Sequence, residues 1–534
     1  MRATAKFTLL LAGALTAALA QATDWLQFGF DSAHSGYNRS EGGYSTALGN
    51  TILYHYALSV SADSAPILLA NVATASGIRD VLFVVAKDGT LLALDANATS
   101  LNVLWSQRPS GNGTLTTGSP VVDPGLQYVY AYGLDGNVHK YSVADGSELL
   151  TNATAAGKLN GWPEISTLKP DVEKGASALS IATTSGGATF LYSVTDGYIG
   201  DGGDYQGHIT AINLESGAQK VFNSACSALT IHFVKNGLTS GAGQNDCSSK
   251  QNGIWGRPGA IWDAATERVF ITTGNGPFNA SSGGFNWGDS VLALNPDGSG
   301  GGAGMPVDSY TPNTFGSSTP GDGLQGTDAD LGSVSIALVP SPPGTAAAYQ
   351  HLGVQAGKDG CVRLLNLANL SGAGAPAHVG GELQALDIPG GTHCATGSDG
   401  PEIKPQPAVW VNPADGSSWI YVATYNNGFA AYKIALTGGG TPSLAQQWTG
   451  SNGSSPVVAR GIVYYMSGTH VRALDAVTGT SLLAGGSSWT TTSNGGVHWQ
   501  SPIIVNGRLY VIDNANPSQL WVYQLDGAFK SGFD

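Results

Sequence analysis

Charge is scarce in this chain: only 11% of its 534 residues are Asp, Glu, Lys or Arg. The formal charge is -14 and no basic run interrupts it, which excludes a nucleic-acid-binding surface. Cysteine is almost as rare. The four present, Cys226, Cys247, Cys361 and Cys394, form no Cys-x-x-Cys-His haem site, no zinc spacing and no adjacent pair. That leaves structural bridges in an oxidising compartment, and chain order favours Cys226–Cys247 with Cys361–Cys394 among the possible pairings. Long apolar runs are missing as well. The stretch Phe7 to Leu19 is too short to span a bilayer, follows Arg2 and Lys6, and closes on Ala18-Leu19-Ala20. It reads as a secretory signal, residues 1–20, leaving 21–534 as one exported domain, secreted or periplasmic, with no membrane span. Neither Gly-x-Ser-x-Gly nor His-Glu-x-x-His occurs, which removes two common hydrolase signatures.

What the chain has in plenty is glycine, 76 residues, set between short apolar runs in a way that suits an all-β protein rich in turns. One pattern recurs. VRALDAVTGT, from Val471, is echoed by LLALDANAT, VHKYSVADG, ITAINLESG, VLALNPDG, VRLLNLANLSG, FAAYKIALTGG and LWVYQLDG. The column of Asp475 then holds Asp95, Ser142, Asn213, Asn295, Asn366, Lys433 and Gln524. Neighbouring copies lie between 42 residues apart (433 to 475) and 82 apart (213 to 295). A unit repeated along the whole chain is a supersecondary building block. The Asp or Asn side chain accepts from backbone N–H groups two residues on, and the Gly supplies the positive φ that closes the turn.

Each unit reads as three or four short strands, clearest in SSPVVAR, GIVYYMSG, THVRALDAVTG and SLLAGG of unit seven. Strands this short cannot bury both faces alone, so neighbouring sheets must stack, and radial stacking gives an eight-bladed β-propeller. The last unit lacks a fourth strand, while TILYHYALS (Thr51 to Ser59) is a spare strand before unit one. Pairing the two would lock the ring.

With these repeats, the chain resembles the eight-bladed quinoprotein alcohol dehydrogenases, which bind pyrroloquinoline quinone. DWLQFGFDSAHSGYN, from Asp24, looks like that family's N-terminal signature, and GIWGRPGAIWDAATERVFITTGN, Gly253 to Asn275, is similar to the polyvinyl alcohol dehydrogenase-like subgroup. The resemblance implies roles for four residues. Asn275 would be an amide ligand to Ca2+, and Asp330 the catalytic base that can also touch the metal. Lys358 would hydrogen-bond the quinone oxygens, and Trp255 would be the floor on which the flat cofactor stacks. Blade geometry gives independent support: Asn275 and Lys358 sit at second-to-third-strand junctions and Trp255 and Asp330 just after blade-to-blade links, so all four emerge on one rim.

The sequence departs from the family where a glutamate metal ligand is expected in blade three. That loop, VTDGYIGDGGDYQGHITA, holds Asp196, Asp201 and Asp204 instead, and Asp201 or Asp204 is expected to substitute ahead of Asp196. Without a haem motif, electrons must pass to a separate acceptor such as a cytochrome c. The links 223–254 and 299–328 are expected to wall the site, the second making a pocket for a neutral substrate; the link 373–404 should pack nearby. His34, His208 and His351 are expected to be packing or surface residues. The sequence thus points to an exported dehydrogenase of secondary or polymeric alcohols, with a non-catalytic propeller scaffold as the alternative.

Overall fold

The computed structural model describes residues 23–41, 51–151, 161–234, 247–316, 323–483, 489–490 and 500–525. The leader at 1–20 lies outside the described residues. Eight sheets form an eight-bladed β-propeller: seven are antiparallel and four-stranded, and in the remaining one the short strand Tyr37–Asn38 joins in parallel, at Val458 and Ala459, to make a fifth strand. Blade one is Ile67–Thr74, Gly77–Val85, Leu91–Asp95 and Val103–Gln107. Every repeat marks a third strand. Asp95, Ser142, Asn213, Asn366, Asp475 and Gln524 end theirs, Asn295 follows Val291–Leu294, and Lys433 lies within Phe429–Thr437. The turn chemistry is visible at Asp475, whose Oδ1 accepts from the N–H of Val477 at 3.0 Å and of Thr478 at 2.7 Å, with Gly479 at φ 71°.

The strand Thr51–Ala57 lies antiparallel to Gln519–Gln524 and supplies the fourth strand of blade eight. Joining this early strand to the last makes closure a matter of sheet hydrogen bonds as well as packing. Both disulfides form as Cys226–Cys247 and Cys361–Cys394. The first ties down a blade-to-blade link; the second fastens the third strand of blade five to the link that follows it.

Residues 24–38 form a hoop that stitches the blades together at their first strands. Trp25 exchanges backbone hydrogen bonds with Leu68, both at 2.8 Å. Leu26 O accepts from Val122, Ser32 O from Trp262, Ser35 O from Val409 and Gly36 O from Val458. Gln27 Oε1 accepts from the N–H of Ile181, and Asn38 Nδ2 donates to Ile504 O at 2.7 Å. These partners lie in the first strands of blades one, two, four, six, seven, three and eight. The hoop needs an unusual backbone at Gly36, whose φ is 68° and where a Cβ would come within 3.0 Å of Pro456 O.

Between blades the sheets meet through aliphatic and aromatic side chains, as in the cluster of Val339, Leu352, Val354 and Leu364 with Val409, Ile420 and Ile434. A charged cluster sits in blade two. His139 places Nδ1 2.6 Å from Glu148 Oε1 and Nε2 3.1 Å from Asp135 Oδ1, so both ring nitrogens face carboxylates and donate to both only as imidazolium. Burial works against the charge, but the two carboxylates outweigh it and the His139 pKa is raised. A raised folded pKa contributes stability that is fully present below the unfolded pKa, near 6.5, and is lost as pH climbs through the folded value. His139→Gln is therefore expected to cost about 1–3 kcal/mol in mild acid and progressively less in alkali. Thermal denaturation of both proteins across that range checks it; a gap that widens with pH would refute the assignment.

Candidate active site

The geometry of a blade decides what meets at its upper end. Loops between second and third strands emerge there, and so do the segments that enter each first strand. Asn275 lies in the loop between Arg268–Thr272 and Val291–Leu294, Lys358 between His351–Ala356 and Cys361–Asn366, and Asp196 and Asp201 between Thr189–Val194 and His208–Asn213. Trp255 leads into Ile261–Asp263, and Asp330 into Ala337–Pro340. All six line one cavity of about 340 Å³. A second cavity, about 480 Å³, lies beneath the hoop, lined by Ala33, Tyr37, Leu338, His351 and Val409, and contains none of the four residues assigned to the cofactor and metal.

Asp330 is held from several sides. Its Oδ1 accepts from the backbone N–H of Asn275 at 2.6 Å, its Oδ2 pairs with Lys358 Nζ, and its carbonyl accepts from Lys358 N–H at 3.1 Å. The next residue, Leu331, donates its N–H to the buried carboxylate of Asp289 at 3.1 Å, and Asp289 N–H reaches back to Gly274 O at 2.9 Å. Asp289 thereby ties the entry segment of blade five to the loop of blade four. Gly274 is the contact point: a Cβ there would lie 2.5 Å from Asp330 Oδ1 and 3.0 Å from Trp255 Nε1. Lys358 Nζ also reaches Asp328 Oδ2 at 3.1 Å and lies 5.4 Å from the centre of the Trp255 ring.

Electrostatics give the pair opposite tendencies. Burial raises the Asp330 carboxyl to about 6 against the pull of Lys358 and the Asn275 N–H. At Lys358 burial is outweighed by Asp330 and Asp328, and the ammonium is stabilised. Asp330 is thus ionised at neutral pH yet only just, which is the condition for a general base. Behind it, burial and the Asp330 charge hold Asp289 well above the ordinary carboxylate range.

The blade-three loop divides. Asp201 faces the cavity, accepting from Tyr205 Oη at 2.7 Å and from Asn275 Nδ2 at 3.3 Å. Asp196 also lines it and pairs with Lys174 at 3.3 Å. Asp204 does not reach the cavity: its carboxylate accepts from Gln206 Nε2 at 3.0 Å and stands 3.9 Å from the buried Lys169 ammonium. Asp196 and Asp201 thus line the cavity where Asp201 or Asp204 was expected ahead of Asp196, and the Lys169 beside Asp204 is itself paired with buried Glu173 at 3.1 Å.

The donor set suits a hard cation. Asn275, Asp330 and Asp201 present oxygen ligands, and Gly274 and Gly253 leave room for the carboxylates to press against the backbone. Among the described residues no three His, Cys, Asp or Glu side chains converge as a metal cage.

Several cavity residues carried no sequence signal strong enough to be singled out. Lys87, Lys174, Arg257 and Lys404 join Lys358, balancing Asp63, Asp196, Asp201, Asp328 and Asp330. Arg257 had the best clue, standing two residues after Trp255 in an otherwise small-residue stretch. Its Nη2 donates to Asp63 O at 2.8 Å, and burial lowers its pKa to about 10. The expected neutral pocket walled by long links differs from the described lining, which carries five Lys or Arg and five Asp side chains. Among the described residues of the links 223–254 and 299–328, Gly253 and Asp328 line the cavity, whose wall is charged and built largely by blades one to three. The first link is tied by its disulfide and by Asn286, whose Oδ1 accepts from Cys226 N–H at 3.0 Å. Of the three histidines, His34 and His208 are 1% exposed and packed, and none lines the cavity.

Among the described residues no helix is long and apolar enough to cross a membrane. No curated protein matches the chain in sequence. A family profile described as outer membrane protein assembly factor BamB matches residues 46–169, less than half of the chain. Among solved structures, a quinohemoprotein alcohol dehydrogenase from Pseudomonas putida HK5 superposes with a TM-score of 0.61 at 13% identity, covering 95% of this chain and 81% of its own. A europium-containing methanol dehydrogenase gives 0.60 at 15% identity, with 94% and 98% covered. The quinohemoprotein alcohol dehydrogenase of Comamonas testosteroni gives 0.58 at 16%, with 96% and 82% covered. At such identities the likeness is one of fold: this chain shares the eight-bladed propeller of the quinoprotein alcohol dehydrogenases.

Proposed function

We propose that the protein is an exported quinone-dependent alcohol dehydrogenase. The observation that carries this reading is the meeting of a carboxylate near its titration point, an ammonium, an amide and an indole in one cavity at the hub. Trp255 offers a flat face that would hold a planar ring, and Lys358, whose Nζ lies over that face 5.4 Å from the ring centre, would donate to the oxygens of such a ring. Asn275, Asp330 and Asp201 would hold Ca2+ through oxygen. Bound pyrroloquinoline quinone supplies the acceptor for the hydride and the electron pair.

The chain's own part is proton handling and placement. Asp330 takes the hydroxyl proton of the alcohol, and Asn275 N–H and Lys358 fix its carboxylate in the orientation that does so. Tyr198, Ile199 and Leu115 form an apolar lip, with Ile199 90% exposed, which suits the hydrocarbon backbone of a secondary or polymeric alcohol such as polyvinyl alcohol. Electrons then leave to a separate acceptor such as a cytochrome c.

The test is direct. Purified protein is given pyrroloquinoline quinone and calcium, and dye reduction is followed over a panel of primary, secondary and polymeric alcohols. Cofactor- and alcohol-dependent reduction is expected. The match of residues 46–169 to an assembly-factor profile favours the second reading, a scaffold that binds other proteins. That reading requires neither cofactor binding nor reduction, and a protein inert to both would replace the first with the second.

A further inference from the structure

The pair Lys174–Asp196 is built into the backbone rather than met by chance. The short strands Glu173–Lys174 and Asp196–Gly197 pair antiparallel with Lys174 opposite Asp196, so the two side chains face each other at a fixed register. Their side chains are 9% and 15% exposed, and the ammonium stands 3.3 Å from Asp196 Oδ2. On its other side Asp196 presses on Gly253, where a Cβ would lie 2.0 Å from Oδ1, so the carboxylate is wedged between a glycine backbone and a lysine. Each other carboxylate on the cavity wall also has an internal partner. Asp330 and Asp328 pair with Lys358, Asp63 with Lys87 at 3.0 Å, and Asp201 with Tyr205 and Asn275. Of these, the Lys174–Asp196 pair is the one fixed by a strand register.

We infer that Lys174 is the resident counter-ion of the cavity, which holds Asp196 back from a bound calcium ion and so sets a low affinity for the metal. The inference rests on the proposed cation site. Cation affinity at an oxygen site rises with the number of charged ligands it offers. Asp196 lines the same cavity as Asn275, Asp201 and Asp330 and supplies the charged oxygen that would join them. While Lys174 is present the site offers one carboxylate fewer and one positive charge more. Removing the ammonium reverses both. Met suits the position because its unbranched thioether chain fills the space of the buried lysine stem.

Calcium titration calorimetry on the cofactor-free protein tests this without reference to turnover. Lys174→Met and Lys174→Gln are both expected to bind calcium about tenfold or more tightly than the parent protein. Adding Asp196→Asn to Lys174→Met should return the affinity to the parental value, because the gain passes through that carboxylate. Unchanged affinity in both single variants, no calcium heat in any of them, or a gain that survives Asp196→Asn would each overturn the role of Lys174. Quenching of tryptophan fluorescence by pyrroloquinoline quinone, measured on the same samples, tests the underlying reading separately. Quenching without any calcium gain overturns the counter-ion alone; absent quenching together with absent calcium binding overturns both.

Discussion

Asp330→Asn is expected to lower kcat/KM for alcohol oxidation by roughly 10²- to 10⁴-fold, the range a positioned general base contributes. The amide keeps the shape and can still accept from Asn275 N–H, so cofactor binding should persist, and fluorescence quenching by the quinone would verify that. The alcohol oxidation proposed for the parent protein should be lost as pH falls through about 6, where Asp330 takes up a proton. Lys358→Met removes the cation that opposes the effect of burial on this carboxyl. The Asp330 pKa then rises further, and the acid limb of the rate profile moves to higher pH. Equal turnover in Asp330→Asn, or an acid limb that stays in place without Lys358, would remove Asp330 from the chemistry.

The largest expected loss of stability comes one residue beyond Lys358. Asp359 and Arg363 form an ion pair whose side chains are 0% and 2% exposed, and Asp359 Oδ1 also accepts from Cys361 N–H at 3.1 Å. Asp359→Ala leaves the guanidinium buried without that counter-charge. Breaking one side of such a pair costs about 3–5 kcal/mol, far more than the pair contributes relative to an apolar replacement. The denaturation midpoint should fall accordingly, while Lys433→Ala, which breaks a pair that is 34% and 49% exposed, should change stability by less than about 1 kcal/mol. If the two variants proved equally stable, the buried pair would have no special place in the fold.

Much of the fold was legible because its signals are local. The Asp-x-x-Thr-Gly turn depends on a side chain reaching backbone two residues away, as Asp475 does, and the same local bond forms at Asp95, Ser142, Asn213 and Asn366. The eight repeats mark eight third strands and so eight sheets. The gathering of Asn275, Asp330, Lys358 and Trp255 at one end could also be reasoned out, since strand direction alternates and each residue's place relative to a strand was readable. The blade-three loop was not. Asp196, Asp201 and Asp204 lie within nine residues of each other, and nothing nearby in sequence says which turns inward. Lys169, more than thirty residues upstream, draws Asp204 aside, and Lys174 engages Asp196.

The hoop shows the same division. DWLQFGFDSAHSGYN stood out as a motif, but its work is done on first strands as far away as Ile504, and no window of sequence contains that relation.

By itself, then, the sequence determined the number of sheets, the direction of their strands and the end of the ring at which chemistry-bearing side chains appear, because those follow from hydrogen bonds and turns between close neighbours along the chain. Only the tertiary structure decided which carboxylates face the hub, which lysines neutralise them and that the cavity is charged rather than neutral. Charge pairing acts through space at about 3 Å and is indifferent to separation along the backbone, so it is settled only when distant loops are brought to the same rim.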